Sequence, residues 1–107
     1  MKPNKENINY IFSRMESDGW DINKPLKWGF FFFSNKKENL NKIFEELSDY
    51  KYKIESIHKN EDNEWVMKVY KIESLVPDKL HRRNIAFNEL AEAYDSIYDG
   101  WEVSKID

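Results

Sequence analysis

Residues 30–33 are four consecutive phenylalanines, and this run constrains the fold more than any other segment of the chain. Successive side chains of a β-strand point to opposite faces of the sheet, so two of the four rings must lie on each face. Burying one phenylalanine contributes roughly 1.5–3 kcal/mol, which favours cover on both faces. Residues 26–33 are apolar nearly throughout, and the segment therefore predicts a central strand.

Hydrophobic spacing predicts the remaining elements. Apolar residues at helical spacing indicate three helices: one over about residues 5–18, a second after Asn35 and a third that begins at Pro77. Asn35 is the predicted N-cap of the second helix, with Glu38 as its capping-box partner. Proline suits the first position of a helix, because its missing N–H would have no helical partner there. The alternation of apolar and polar residues predicts further strands over residues 50–58, 65–70 and 98–104.

This order of elements predicts an α+β fold of the ferredoxin-like, split βαβ type. The core is expected to be a two-layer βαββαβ sandwich over about residues 26–104, with a four-stranded antiparallel sheet and an extra N-terminal helix. Right-handed crossovers place the first and third strands in the centre of the sheet. Two helices should cover one face, and we expect the N-terminal helix to fold back over the phenylalanines of the other. A second copy of the chain or another protein is the alternative cover.

Length and charge restrict the class of protein. The 107 residues predict a single domain over residues 1–107. Asp and Glu number 20 against 17 Lys and Arg, a formal net charge of −3. This balance argues against nucleic acid as the partner, because its backbone is bound by clustered cations, and it suits a basic protein surface. No segment approaches the roughly 20 apolar residues of a spanning helix. We therefore expect a cytoplasmic protein that does not contact membranes.

Residue types that carry catalysis or bind metals are sparse. Cysteine is absent, and His58 and His81 are the only histidines, neither in a metal-ligand spacing. Three glycines cannot form a Gly-rich phosphate loop, and no serine has the context of a nucleophile elbow. The sequence therefore predicts no enzyme activity, no catalytic residue, no metal and no cofactor.

Acidic residues near the third helix are the main candidates for protein contacts. They run with one tyrosine into the last strand: Glu89, Glu92, Asp95, Tyr98, Asp99 and Glu102. Paired carboxylates can act as acid and base, but a solvated acidic face or a docking surface for a basic segment needs fewer assumptions. A second acidic group ends the second helix: Glu45, Glu46 and Asp49.

Basic residues lie in the early turns of the third helix. Asp78 is four residues before Arg82, which predicts an ion pair within the helix. The alternative is a small basic contact patch formed by Lys79, Arg82 and Arg83.

Two Asp-Gly motifs, within residues 17–25 and 98–102, carry a family resemblance. Glycine after aspartate predicts a tight turn at each, since it reaches positive φ without steric cost. Together with the aromatic strand, these segments resemble the family of RraB, the regulator of ribonuclease activity B, over roughly residues 8–104. The resemblance implies a structural role for the matching positions, which are Gly19, Asp21, Lys24, Pro25, Trp65, Gly100 and Trp101.

The same resemblance implies a protein that binds an Arg-rich, flexible segment of ribonuclease E and inhibits the enzyme. The chain departs from the family pattern at residues 28–30, where members commonly carry Glu and His, and at residues 95–97, where they often carry Gly-Gly. An immunity protein that neutralises a nuclease toxin is a second function compatible with a small acidic domain. An RNA-binding sheet that stacks bases on its aromatic face is a third, and a homodimer is compatible with each.

Overall fold

The computed structural model describes residues 2–106, and within them three helices and four strands follow the predicted order. The helices are α1 (Lys5–Ser17), α2 (Lys37–Ser48) and α3 (Pro77–Ala93). The strands are β1 (Leu26–Ser34), β2 (Lys53–Lys59), β3 (Trp65–Glu73) and β4 (Ile97–Ser104). Each predicted element is present, with ends displaced by a few residues.

The strands form one antiparallel sheet in the order β2-β3-β1-β4. The first and third strands are central, as predicted, and the arrangement is a ferredoxin-like α+β fold with an extra N-terminal helix. β1 pairs with β3 along its whole length, with Leu26 opposite Glu73 and Ser34 opposite Trp65. Even-numbered residues of β1 therefore share the helix-covered face with odd-numbered residues of β3.

Phe87 of α3 lies at the centre of the aromatic core. Its ring centroid is 5.1 Å from that of Phe30 and 5.5 Å from that of Phe32. The rings of Tyr52 and Tyr98 are 5.7 and 5.5 Å away. Three of these four contacts are edge-to-face, the arrangement that the ring quadrupole favours. They join α3 to β1, to β4 and to the residue that precedes β2.

α1 packs on the same side of the sheet as the other two helices. The ring of Phe12 stacks on Trp28, with centroids 5.8 Å apart and planes inclined by 18°. Trp28 shares its face of β1 with Phe30, which contacts α3. The prediction that the N-terminal helix covers the opposite face is therefore wrong. The apolar stripe of α1, which consists of Ile8, Phe12 and Met15, is buried on this side of the sheet.

The start of α3 is as predicted, and the start of α2 is not. Pro77 is the first residue of α3. Lys36 is the N-cap of α2, so the prediction of Asn35 as its cap is wrong. The hydroxyl oxygen of Ser34 accepts hydrogen bonds from the Lys36 N–H at 3.3 Å and from the side-chain amide of Asn39 at 3.1 Å. The Ser34 hydroxyl, at the end of β1, thus accepts a backbone N–H at the start of α2, which is the role expected of the predicted cap.

Candidate functional site

The structure distributes the six predicted interaction residues over several places. Glu89 and Glu92 are exposed on the later turns of α3, and Asp95 is exposed just beyond its end. None of these three carboxylates forms an ion pair with a residue in the range 2–106. They are available to a partner and form the start of an acidic surface.

Carboxylates at the end of α2 extend this surface. The Tyr94 hydroxyl, at the C-cap of α3, donates a hydrogen bond to the Glu46 carboxylate. This bond, with the negative charges of Glu46 and Glu45, raises the pKa of Tyr94. The ends of the two helices therefore bring their carboxylates into one region. We call it the acidic surface and define it by Glu45, Glu46, Glu89, Glu92 and Asp95.

Tyr98 lies in the core and not in an exposed cluster. Only 1% of its surface is exposed, and its hydroxyl donates a hydrogen bond of 2.6 Å to the side-chain oxygen of Asn84. Burial raises the pKa of the Tyr98 hydroxyl above its ordinary value. The prediction of Tyr98 as an interaction residue is therefore wrong. Its strand position places it on the helix face, where its ring lies 5.3 Å from that of Phe32.

Asp99 and Gly100 lie at an irregularity in the pairing of β4 with β1 and do not form the predicted tight turn. The pairing of β4 with β1 shifts register between Phe31 and Phe32, which leaves Asp99 outside the ladder. Gly100 has a φ of 128°, which lies in the region that glycine adopts without strain. Asp99 is exposed there, beside a shallow depression that it lines with Trp101.

Glu102 is ion-paired on the face of the sheet that points away from the helices. Its carboxylate pairs with Lys68 of β3, whose ammonium group also pairs with Glu55 of β2. Glu55 pairs in turn with Lys27 of β1. We call these four residues the ionic ladder. Lys68 crosses over Gly29, where an added Cβ would lie 2.7 Å from Lys68 Cε, so the missing side chain makes room for the ladder.

The ionic ladder partly covers the second pair of phenylalanines. The Lys68 ammonium group lies 5.5 Å from the centroid of the Phe31 ring, and both Phe31 and Phe33 are half-buried. The aliphatic stem of a lysine can cover apolar surface while its charge stays in water. Side chains of the sheet itself thus supply part of the cover that we expected from a helix.

Replacing Glu55 with glutamine is expected to make stability less dependent on pH in the acid range. Hydrogen bonds from Lys27 and Lys68 hold the pKa of Glu55 below its ordinary value. A carboxylate with a lowered pKa in the folded state stabilises the protein above its unfolded pKa of about 4.3. This contribution is lost as the pH falls through the lower, folded-state pKa. Urea unfolding between about pH 3 and 6 should therefore show a smaller fall in the free energy of unfolding for Glu55→Gln.

Glu61→Gln is the matched control for this experiment. Glu61 is exposed in the loop after β2 and forms no ion pair with the part of the chain that the structure describes. Its variant should keep the wild-type dependence on pH. The same dependence in the Glu55 variant would contradict a stabilising role of the ionic ladder.

Gly19 and Asp21 end α1 and begin the connection to the sheet. Gly19 has a φ of 86°, and its N–H donates to the carbonyl of Glu16 at 3.1 Å. A glycine in this conformation is a common end of an α-helix. The Asp21 carboxylate then accepts a hydrogen bond of 3.1 Å from the N–H of Asn23. The first Asp-Gly motif is therefore a turn, as predicted, whereas the second is not.

The other positions of the family motif lie partly in the core and partly on the surface. Trp101 packs against Trp28 with ring centroids 5.8 Å apart, and Trp65 is half-buried against the core. Lys24 and Pro25 are exposed before β1.

A cleft of about 570 Å³ lies between α3, the end of α2 and β3. It combines Lys79 and Arg82 of the predicted basic patch with Lys71 of β3, which is distant from them in sequence. Asp78 does not pair with Arg82 as predicted. It pairs with Lys5 of α1, which lowers the pKa of Asp78. Arg82 is left without an ion pair among residues 2–106.

The match to a known family covers all of these elements. The sequence model of RraB, regulator of ribonuclease activity B, matches residues 5–103, from the start of α1 into β4. The chain belongs to the RraB family. Members of the RraB family are regulators of ribonuclease activity. No curated protein matches the chain.

Two further findings concern the described residues alone. Between residues 2 and 106, no group of three or more His, Cys, Asp or Glu side chains could hold a metal ion. No helix in that range has the length and apolar character to span a lipid bilayer.

Proposed function

We propose that this chain binds a ribonuclease and changes its activity by protein contact, without catalysing a reaction itself. The observation that carries the proposal is the RraB family match, which extends over the three helices and the sheet. A regulator of this kind needs a stable scaffold and an accessible surface. The aromatic core around Phe87 supports the first requirement, and the unpaired carboxylates of the acidic surface support the second.

The acidic surface is the part of the molecule that we expect to contact the ribonuclease. Its carboxylates lie at the ends of α2 and α3, and neither helix has a basic residue in its last turn. The carbonyl end of a helix carries a partial negative charge, which adds to that of the carboxylates. The combined field favours a cationic partner and speeds its association. An Arg-rich segment of ribonuclease E, which the family resemblance implies, has this chemistry.

Reversing three charges of the acidic surface is expected to slow association by about 10–100-fold at low salt. The variant Glu89→Lys, Glu92→Lys, Asp95→Lys replaces attraction to a basic segment with repulsion. All three side chains are exposed, so the fold should be retained. Stopped-flow or surface plasmon resonance with the Arg-rich segment of ribonuclease E gives the association rate. The dependence of that rate on salt should also become weaker or change sign.

A control with the same change in net charge separates a local contact from a general effect. Glu6→Lys, Glu16→Lys, Asp18→Lys alters exposed carboxylates of α1 and its C-cap. We expect this variant to associate at a rate within about threefold of the wild type. Equal slowing by both variants would show that net charge alone is responsible. Unchanged rates for the first variant would exclude the acidic surface, and binding of a nuclease toxin in place of the ribonuclease would favour an immunity role.

A further inference from the structure

The cleft between α2 and α3 is lined at one end by cations. Lys79 and Arg82 of α3 and Lys71 of β3 border it, and none of the three forms an ion pair within residues 2–106. Arg83 also lines the cleft, but its guanidinium forms two hydrogen bonds with the Glu73 carboxylate, one of 3.1 Å. Three cations without an ion pair among residues 2–106 therefore line one cavity of an acidic protein.

Apart from Glu46, the rest of the cleft is lined mainly by apolar and aromatic side chains. Along one face of α3 the lining changes from Lys79, Arg82 and Arg83 to Ala86, Phe87 and Leu90. Leu47 of α2 and Tyr52 complete the apolar wall, and burial raises the pKa of Tyr52 to about 12. Tyr50, with 67% of its surface exposed, stands at the edge. A cavity that is cationic at one end and apolar at the other selects a ligand with an anionic part and an apolar part.

We propose that this cleft binds an acidic protein segment that carries one large apolar side chain. The apolar side chain occupies the space beside Phe87 and Leu90, and neighbouring carboxylates contact Lys79, Arg82 and Lys71. The cleft shares Glu46 with the acidic surface, but its three cations lie outside that surface and carry the opposite charge. The proposal therefore does not depend on the proposed ribonuclease contact.

The charges around the cleft favour a peptide over a nucleic acid strand. Nucleic acid binding needs cations along a continuous row of phosphates. Here the cations are confined to one cavity, which Glu46 also lines, and Glu46 interacts with Tyr94 at the C-cap of α3. A strand of phosphates would meet this carboxylate and the net charge of −3. A short acidic segment has to place only two or three charges, next to an apolar group that fills the rest of the cavity.

Selection from a phage-displayed library of random dodecapeptides tests the proposal on the intact chain. We expect the enriched peptides to contain at least two Asp or Glu residues beside a Phe, Trp, Tyr or Leu. A synthetic copy of an enriched peptide should shift the backbone amide resonances of residues 79–90 in an NMR titration. The variant Lys79→Glu, Arg82→Glu should bind that peptide at least about tenfold more weakly. Replacing the apolar residue of the peptide with alanine should have a similar effect.

Lys2→Glu, Lys36→Glu is the control variant, since both lysines are exposed, lie outside the cleft lining and give the same change in net charge. Its affinity should stay within about twofold of the wild type. If Lys79→Glu, Arg82→Glu does not fold, Lys79→Gln, Arg82→Gln replaces it with the same expectation. The proposal is overturned by a lack of enrichment, by enriched peptides without acidic residues, or by equal weakening in the control. Tighter binding of a single-stranded oligouridylate to residues 79–90 would also overturn it and indicate a nucleic acid site.

Discussion

Replacing Phe87 with alanine is expected to lower the free energy of unfolding by about 3–5 kcal/mol. Its ring contacts four other rings, in β1, in β4 and next to β2, within 5.7 Å. The surrounding rings cannot all close on the space that the substitution leaves, because Phe30, Phe32 and Tyr98 are held in the paired strands β1 and β4. The cost therefore includes a cavity as well as the loss of buried apolar surface. Urea unfolding followed by circular dichroism gives the value directly.

Ile85→Ala is the control on the same helix. Ile85 has 40% of its surface exposed, and alanine favours a helix slightly more than isoleucine does. Its variant should therefore differ from the wild type by about 0.5 kcal/mol or less. A loss below about 1.5 kcal/mol for Phe87→Ala would show that the core repacks around the missing ring.

Removing Glu73 is expected to have the second largest effect, a loss of about 2–4 kcal/mol. Its carboxylate pairs with Arg83 through two hydrogen bonds, and both side chains are only 12% exposed. The guanidinium also lies 5.8 Å from the ring centroid of Phe30 and 5.7 Å from that of Tyr52. In Glu73→Leu this charge stays in a poorly solvated place without its partner, which is the main source of the cost.

A double-mutant cycle distinguishes this cost from ordinary loss of packing. Arg83→Met alone should also destabilise, because it leaves the Glu73 carboxylate unpaired. The double variant Glu73→Leu, Arg83→Met removes both charges and should recover most of the stability, to within about 1 kcal/mol of the wild type. A double variant that is as unstable as the sum of the two single variants would show that the two side chains act independently. Asp78→Asn, which breaks an exposed pair with Lys5, should cost much less.

The elements and their order could be predicted because each depends on local spacing. Pro77 at the start of α3 follows from the geometry of proline alone. Trp65, Met67 and Val69 share one face of β3 because strands alternate, and in the sheet they lie opposite the even-numbered residues 34, 32 and 30 of β1. The central position of β1 follows from its continuous apolar run, which requires cover on both faces.

The candidate sites depend on contacts between distant segments, and the sequence prediction failed there. Tyr98 follows three exposed carboxylates in sequence, but its strand position directs it into the core beside Phe32. Asp78 has a suitable partner four residues later in Arg82, but it pairs with a lysine of α1 that is 73 positions away. Local spacing gives the set of possible partners, and tertiary packing selects among them.

The two faces of the sheet show the same difference between what local spacing predicts and what tertiary packing decides. The alternation of residues 30–33 alone determined that both faces carry phenylalanine, because a strand cannot place consecutive side chains on one side. Only the tertiary structure decided what covers each face. α1 packs against Trp28 on the face that α3 also covers, and the room above Gly29 lets Lys68 extend over Phe31 on the other face. Which apolar surface is left free, and which side chain is long enough to reach it, depends on all elements at once.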